Sequence, residues 1–305
     1  MKRLPVIIAV LVAAALPLSA RDFKETEQIL KSILSEETVP LKKTNGAAVE
    51  KKQIEPQKTE KIQPDKTSAV EIEKEGKGEK LGKKEKQSLG MSQSDEVLLK
   101  TGIQFYNSGL YTFSLKQFSE LITKHADSQF KDSAAMYSGK ILMKQHQYDK
   151  AIEYFSSIQE KSGEYPISLY FTAETLVMKG DPNFSIEYYM KVAGQFPDHE
   201  LSDDALLKIG KIYLNHQKGE QALDSTLTLI KYYGDRETID DAYFMLGTIF
   251  MRDPVLKDFE KARRIYKIFL GKAEAGDVHF SKSPLRMRVK SDLLHIEKKY
   301  YRLEQ

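Results

Sequence analysis

Residues 201–230 read LSDDALLKIGKIYLNHQKGEQALDSTLTLI, and this stretch decides the fold. Its apolar residues recur three and four positions apart, which indicates amphipathic helices. Gly210 lies in the first half and Ala222 in the second, each beside large apolar residues such as Tyr213 and Leu229. Small residues allow two helices to approach closely, and the large ones fill the space beside them. The stretch therefore predicts two antiparallel helices packed together.

The same spacing recurs five times between residues 94 and 273. The small residues of the successive first helices lie 34 to 37 residues apart: Gly102, Gly139, Ala173, Gly210 and Gly247. Each helix pair has one apolar face that it cannot bury alone, so neighbouring pairs must stack. We therefore predict an all-α fold, a solenoid of about five helix pairs at residues 94–273.

Residues 274–305 no longer follow the repeat and predict a C-terminal capping helix. Ser283 is placed to cap it, with Pro284 in its first turn. One face carries an apolar stripe: Leu285, Val289, Leu293, Ile296, Tyr300 and Leu303. The opposite face is basic, as suits the polar outer side that a terminal helix of a solenoid needs. The alternative is that this basic face binds a membrane surface or a partner.

Acidic residues cluster where first helices are expected to begin, in Ser202-Asp203-Asp204 and Asp240-Asp241. Short polar and acidic side chains at these positions cap free backbone N–H groups and complement the helix dipole. We interpret them as caps, and we assign them no metal site and no acid–base role.

The first twenty residues have the three parts of a secretory signal peptide. Met1-Lys2-Arg3 is basic, Leu4 to Leu18 is an apolar run, and Ala20 follows as a small residue. We predict a signal peptide at residues 1–20, cleaved after Ala20, and a periplasmic protein. The alternative is a retained anchor, although the run is shorter than the roughly 20 residues of a membrane span.

Between this segment and the repeats the sequence predicts a helix and a linker. Residues 21–38 form a short amphipathic helix with Phe23, Ile29, Leu30, Ile33 and Leu34 at helical spacing. No predicted element adjoins it for packing, so it is either a docking or self-association element or a helix that frays in water. Residues 39–93 mix Lys and Glu and contain no aromatic residue, which predicts a disordered, solvated linker.

Composition excludes several classes of function. The chain of 305 residues has a net charge of +3, too balanced for a nucleic-acid binder. It has no cysteine, so a disulfide, a thiolate metal site and a cysteine nucleophile are all impossible. Its six histidines show no metal-ligand spacing, and no phosphate loop or nucleophile elbow occurs. We therefore predict no catalytic residue, no metal and no cofactor.

The repeat is similar to the tetratricopeptide repeat, and this resemblance implies a right-handed superhelical solenoid that binds proteins. The segment from Leu201 to Tyr213 resembles the last repeats of periplasmic YbgF/CpoB-like proteins, the Tol–Pal coordinator family. The run from Phe105 to Phe155 resembles them too, and its general style is similar to BamD-like proteins of outer-membrane assembly. The resemblance implies a non-enzymatic periplasmic scaffold that contacts other envelope proteins in envelope assembly or wall and outer-membrane coordination. The chain departs from these families in lacking a cysteine for lipid attachment and in offering only about two heptads at residues 22–37.

In this repeat the first helix lines the concave face. The positions three before and four after its small residue are apolar in all five segments. These positions hold Leu99, Tyr106, Met136, Met143, Tyr170, Val177, Leu207, Leu214, Phe244 and Met251. We predict that they form a hydrophobic groove for an apolar or amphipathic segment, adaptable because of its methionines. The alternative is that neighbouring helices bury both rows.

A second candidate function is a ligand- or glycan-binding sensor of the envelope. A glycan binder lines its groove with exposed aromatic and amide side chains. The two rows are mostly aliphatic, which favours protein partners.

Overall fold

The computed structural model describes residues 23–36 and 83–301, and this described part is helical with no strand. Helix α1 (Phe23–Leu34) precedes five helix pairs, numbered repeats 1 to 5. The pairs are α2 (Lys83–Asn107) with α3 (Tyr111–Lys124), α4 (Lys131–Lys144) with α5 (Tyr148–Ser156), α6 (Tyr165–Lys179) with α7 (Pro182–Gln195), α8 (Ser202–Asn215) with α9 (Gly219–Tyr232), and α10 (Ile239–Arg252) with α11 (Phe259–Glu274). The prediction of an all-α solenoid is confirmed.

The start of the helical part differs from the expected boundary. Helix α2 begins at Lys83, whereas the sequence predicts a solvated linker through residue 93. Residues 83–93 are rich in Lys, Gln and Glu, which are good helix formers, so they extend the first helix of repeat 1. The predicted signal peptide at residues 1–20 and the rest of the linker, residues 39–82, lie outside the described residues.

In repeats 1, 2 and 5, an aromatic ring of the second helix rests on the glycine of the first helix. A Cβ atom added to Gly139 would lie 2.4 Å from the ring of Phe155. The same arrangement recurs at 2.4 Å between Gly102 and Phe118 and at 2.3 Å between Gly247 and Tyr266. These glycines are therefore required by close packing, because a side chain there would displace the ring.

The core is continuous along the repeats. Phe118 and Leu121 of repeat 1, for example, share a cluster with Ala134 and Ile141 of repeat 2. The other clusters of the described residues likewise combine side chains from consecutive repeats. Each repeat thus buries its apolar face only against its neighbours, as expected for stacked helix pairs.

The structure corrects the interpretation of Asp203 and Asp204 as caps, whereas Asp240 Oδ1 does accept a backbone N–H in the first turn of α10, that of Asp241 at 2.8 Å. Asp203 and Asp204 lie in the first turn of α8, but no side chain caps this helix. Asp203 Oδ2 instead accepts a hydrogen bond of 2.6 Å from Thr238, and Asp204 accepts one from the hydroxyl of Tyr170. Both partners belong to neighbouring repeats or to the loops before them. Asp203 and Asp204 therefore link repeats, although their position in the first turn still complements the helix dipole.

Two helices follow the repeats, α12 (Val278–Ser281) and α13 (Arg286–Tyr300). Helix α13 packs on α11 through the buried side chains of Val289, Leu293 and Ile296. It begins two residues after Pro284, because Ser283 Oγ accepts the Leu285 N–H at 3.1 Å in a preceding turn rather than capping the helix. The side chains of Arg288, Lys290, Lys298 and Lys299 remain exposed.

Helix α1 packs on the second helices of repeats 4 and 5, α9 and α11. Ile33 is only 3% exposed and lies in one hydrophobic cluster with Leu227 and Tyr243. This finding corrects the expectation that the helix has no element to pack on. Sequence spacing predicted its apolar face, but its partners lie about two hundred residues further along the chain.

The glycine contacts lead to a stability prediction. Gly139→Ala should lower the free energy of unfolding by about 1–3 kcal/mol through overpacking, offset by at most about 1 kcal/mol from better helix propensity. The urea midpoint, followed by circular dichroism, measures the change. The control is Gly163→Ala, where an added Cβ atom meets nothing within 4 Å. An alanine at position 139 that raises the midpoint would contradict the packing argument.

Candidate partner-binding surface

The first helices of consecutive repeats lie side by side. Helix α4 contacts α6, and α8 contacts α10, in addition to the contacts that each makes within its own repeat. Helices α2, α4, α6, α8 and α10 therefore provide one surface, named here the first-helix surface. The ten predicted groove residues all lie on these helices, in two rows.

The row four positions after each small residue is accessible. It is named the outer row and consists of Tyr106, Met143, Val177, Leu214 and Met251. Val177 is 39% exposed, and the other four are half-buried. Each of the five repeats thus contributes one apolar side chain at the same register to an open part of the surface.

The row three positions before each small residue is mostly core, which corrects the prediction for three residues. Met136, Tyr170 and Leu207 are buried, at 1%, 8% and 2% exposure. Leu99 and Phe244, at the two ends of the row, are half-buried. The reason is that this row faces the next repeat, so side-by-side packing of the first helices covers it. Met136, Tyr170 and Leu207 therefore cannot contact a partner directly.

A polar network joins repeats 3 and 4 beneath the outer row. The hydroxyl of Tyr189 donates to the carboxylate of Glu174, and the hydroxyl of Tyr170 donates to Asp204. Lys208 Nζ lies 3.0 Å from Glu174 Oε1. Each tyrosine hydroxyl thus has a carboxylate acceptor, as a buried polar group requires.

Burial and the adjacent carboxylates keep these tyrosines protonated. Burial raises the pKa of Tyr170 above its ordinary value, and the hydrogen bond to Asp204 raises it further. Burial and the hydrogen bond to Glu174 raise the pKa of Tyr189 in the same way. A phenol that holds its proton this firmly is a hydrogen-bond donor and not a general base. The network is therefore suited to fixing two repeats together.

Local sequence patterns did not reveal this network. Its two inter-repeat links, Tyr170 with Asp204 and Glu174 with Lys208, each join residues 34 positions apart. Equivalent positions of repeats 3 and 4 are 37 residues apart, as Ala173 and Gly210 are, so each partner lies about one helical turn before the equivalent position in the next first helix. Pairing complementary polar residues about one turn short of this repeat length is the signal that could have found them.

Lysines and aromatic rings border the outer row at repeats 1 and 2. Lys144 Nζ lies 4.8 Å from the ring centroid of Tyr106, and Lys140 Nζ lies 4.4 Å from that of Phe171. The Tyr106 ring packs edge-on against Tyr137 at 5.2 Å. Cations at these distances over aromatic faces are attracted to the ring quadrupole. This end of the surface therefore combines apolar contact area with positive charge.

Searches of the described residues found no group of three or more His, Asp or Glu side chains placed to hold a metal ion. In the same part of the chain, no helix has the length and apolar character of a membrane span.

The comparisons with known proteins concern both one repeat and the whole array. A family model of the tetratricopeptide repeat matches residues 204–235, which cover most of α8 and α9. The crystal structure of MamA protein is similar with a TM-score of 0.50 and 14% identity, covering 63% of this chain and 99% of that one. A tetratricopeptide repeat protein from Parabacteroides merdae ATCC 43184 has a TM-score of 0.48 and 14% identity, with coverages of 70% and 81%. No curated protein matches the sequence.

The similarity to MamA supports a shared fold over the repeats. The family model matches repeat 4, and the same helix pair recurs in the other four repeats at the same spacing.

The inter-repeat tyrosine contacts predict a loss of stability at high pH. Tyr233 donates to the carbonyl of Pro197 at 2.8 Å, and burial raises its pKa to about 12. The unfolded phenol titrates near 10, so the folded state holds the proton more tightly. Stability is therefore unaffected below pH 10 and falls between pH 10 and about 12.

Urea midpoints at pH 8 to 11.5 measure this fall. The Tyr233→Phe variant should be less stable than the unmodified protein at pH 8, because the hydrogen bond is lost. Between pH 8 and 11.5, its free energy of unfolding should fall by about 2 kcal/mol less than that of the unmodified protein. Parallel declines of the two proteins would show that this phenol does not titrate as expected.

Proposed function

Because the chain is a tetratricopeptide repeat protein, we propose that it is a non-enzymatic scaffold that holds other proteins on its first-helix surface. The observation that carries the proposal is the outer row. Tyr106, Met143, Val177, Leu214 and Met251 offer one accessible apolar side chain per repeat at a fixed register. Apolar rows of this kind accept an extended or helical segment whose own apolar side chains recur at regular spacing.

The partner segment should be apolar or amphipathic. Met143 and Met251 are flexible and polarisable, so they can adapt to different side chains. Lys140 and Lys144 lie beside the row at repeats 1 and 2, which favours acidic residues at that end of the segment. No catalytic role is proposed, because the sequence has no catalytic motif and the tyrosine–carboxylate network links repeats.

We further propose that the protein works in the periplasm, among envelope proteins. The basic, apolar and small-residue parts of residues 1–20 support export. The absence of cysteine and the resemblance to YbgF/CpoB-like and BamD-like proteins support a bacterial envelope. The role proposed is therefore in envelope assembly or in coordination of the cell wall with the outer membrane.

A sensor of glycans or small ligands is the second candidate, and one observation favours it. Tyr106, Tyr137 and Phe171 stand with Lys140 and Lys144 at one end of the surface, as the aromatic side of a sugar site would require. Cell-wall fragments that raise the melting temperature, with loss of that shift in Tyr106→Ala, would support the sensor over the scaffold.

Substitutions in the outer row test the scaffold proposal. Val177→Glu should weaken capture of an envelope partner by tenfold or more, since a tenfold loss needs only about 1.4 kcal/mol and a charge would face apolar side chains. The double variant Met143→Asp, Leu214→Asp should act likewise. Binding of the full chain to the captured partner is measured by calorimetry.

The matched control is Met178→Glu. Met178 neighbours Val177 on α6 and is 46% exposed, but it lies outside the outer row. Binding should survive this change. Equal loss in Val177→Glu and Met178→Glu, or loss in neither, would exclude the outer row as the binding site.

Export gives a second test. The chain recovered from a periplasmic extract should begin at Arg21, because cleavage is expected after Ala20. Intact-mass spectrometry reads the N-terminus directly. A chain that starts at Met1 and stays in the membrane fraction would instead support the retained anchor.

A further inference from the structure

Helix α1 covers a surface that is separate from the outer row. It rests on α9 and α11, the second helices of repeats 4 and 5, whereas the outer row lies on first helices. We name the covered surface the helix seat. It comprises Leu223, Leu227 and Lys231 of α9, Lys272 of α11 and also Tyr243 of the first helix α10. None of these residues belongs to the outer row.

The apolar face of α1 is matched to the seat. Ile33 is 3% exposed, and Ile29, Leu30 and Leu34 are partly buried against the same hydrophobic cluster. The opposite face is charged and solvated, with Glu27 and Lys31 paired at 2.8 Å and both well exposed. The described part of the apolar face of this helix thus points to the repeats and is at least partly buried there.

Ion pairs hold both ends of the helix on the seat. Glu25 near its start forms an ion pair with Lys231, and Glu36 after its end lies 2.7 Å from Lys272. Tyr243 also donates to Glu36 at 3.0 Å. The seat therefore selects for a sequence with acidic residues at both ends of an apolar stripe.

Helix α1 contacts the repeats in the way that a separate bound ligand would. Residues 35–218 separate α1 from α9, the first along the chain of the two helices on which it packs, so its attachment comes from side-chain contacts within the seat. A helix of 12 residues is marginal by itself in water, so it is expected to be ordered mainly when seated. The covalent connection raises the local concentration of α1 but does not require that the occupant belong to the same chain.

We propose that the helix seat is an exchangeable site whose second occupant is α1 of another copy of this chain. The same helix makes the same apolar contacts and the same two ion pairs, whichever copy supplies it. Seating within one chain gives a monomer, and reciprocal exchange between two chains gives a swapped dimer with two identical contacts. Seating within the chain dominates when the chain is dilute, and exchange grows with concentration.

A peptide of residues 22–37, fluorescently labelled, is the probe for the seat. It should bind the full chain carrying Ile33→Asp at least tenfold more tightly than the unmodified full chain, because the variant helix no longer competes. A peptide that itself carries Ile33→Asp should not bind. Glu25→Lys with Glu36→Lys is a second way to release α1 without changing its apolar face, and it should open the seat equally.

Charge reversal tests whether the peptide occupies this seat. In the chain with Ile33→Asp, Lys272→Glu should weaken binding, and a peptide with Glu36→Lys should recover it. The proposal would be overturned if the peptide bound with equal affinity to the unmodified chain, to the chain with Ile33→Asp and to the chain with Glu25→Lys and Glu36→Lys. Binding that ignores the charge reversal would also overturn it, because the peptide would then lie elsewhere.

Two complementary full chains test exchange between copies. The chain with Ile33→Asp has an open seat and no competent helix, whereas the chain with Lys231→Glu and Lys272→Glu has a competent helix and no matched seat. Sedimentation velocity should show monomers for each alone and a 1:1 complex on mixing. Two species that stay monomeric in the mixture would overturn the assignment of a second copy as occupant.

Discussion

An aromatic ring resting on a glycine sets the distance between the two helices of a repeat, and the stacking of repeats depends on that distance. The contact between Gly139 and Phe155 is one example of a ring on a glycine. Repeat 4 has Thr226 at the position where the other repeats have the ring. Met245 of repeat 5 fills the space over Gly210 instead, and its Cε atom would lie 2.6 Å from a Cβ atom added to that glycine. The space is filled in each case, from within the repeat or from the next one.

Stacking gives the array two surfaces that differ in how much of them is accessible. The first helices present a narrow accessible row, because their contacts with one another bury the adjacent row that includes Met136 and Leu207. The second helices of repeats 4 and 5 are covered by α1. The first-helix surface is thus partly accessible, while part of the second-helix surface of repeats 4 and 5 is covered by the chain itself.

Contacts within one repeat could be predicted from sequence, whereas contacts between repeats could not. The spacing of Gly210, Ala222 and their equivalents predicts the helix pairs, because packing within a pair involves residues close in sequence. Periodicity also assigns residues to the first helix's apolar face, but the burial of Tyr170 depends on how the next repeat lies against it. Asp204 resembled a cap for the same reason, since its partner belongs to the preceding repeat, 34 residues away.

The distance along the chain between α1 and its seat has a consequence for folding. Glu25 and Lys231 are 206 residues apart. At a synthesis rate of roughly 5–20 residues per second, the helix waits on the order of ten to forty seconds before its counterpart leaves the ribosome. Repeats 1 to 3 can stack through local contacts in that interval. Helix α1, the first of the described helices to be made, is therefore among the last of them to find its place, and its apolar stripe stays unburied until then.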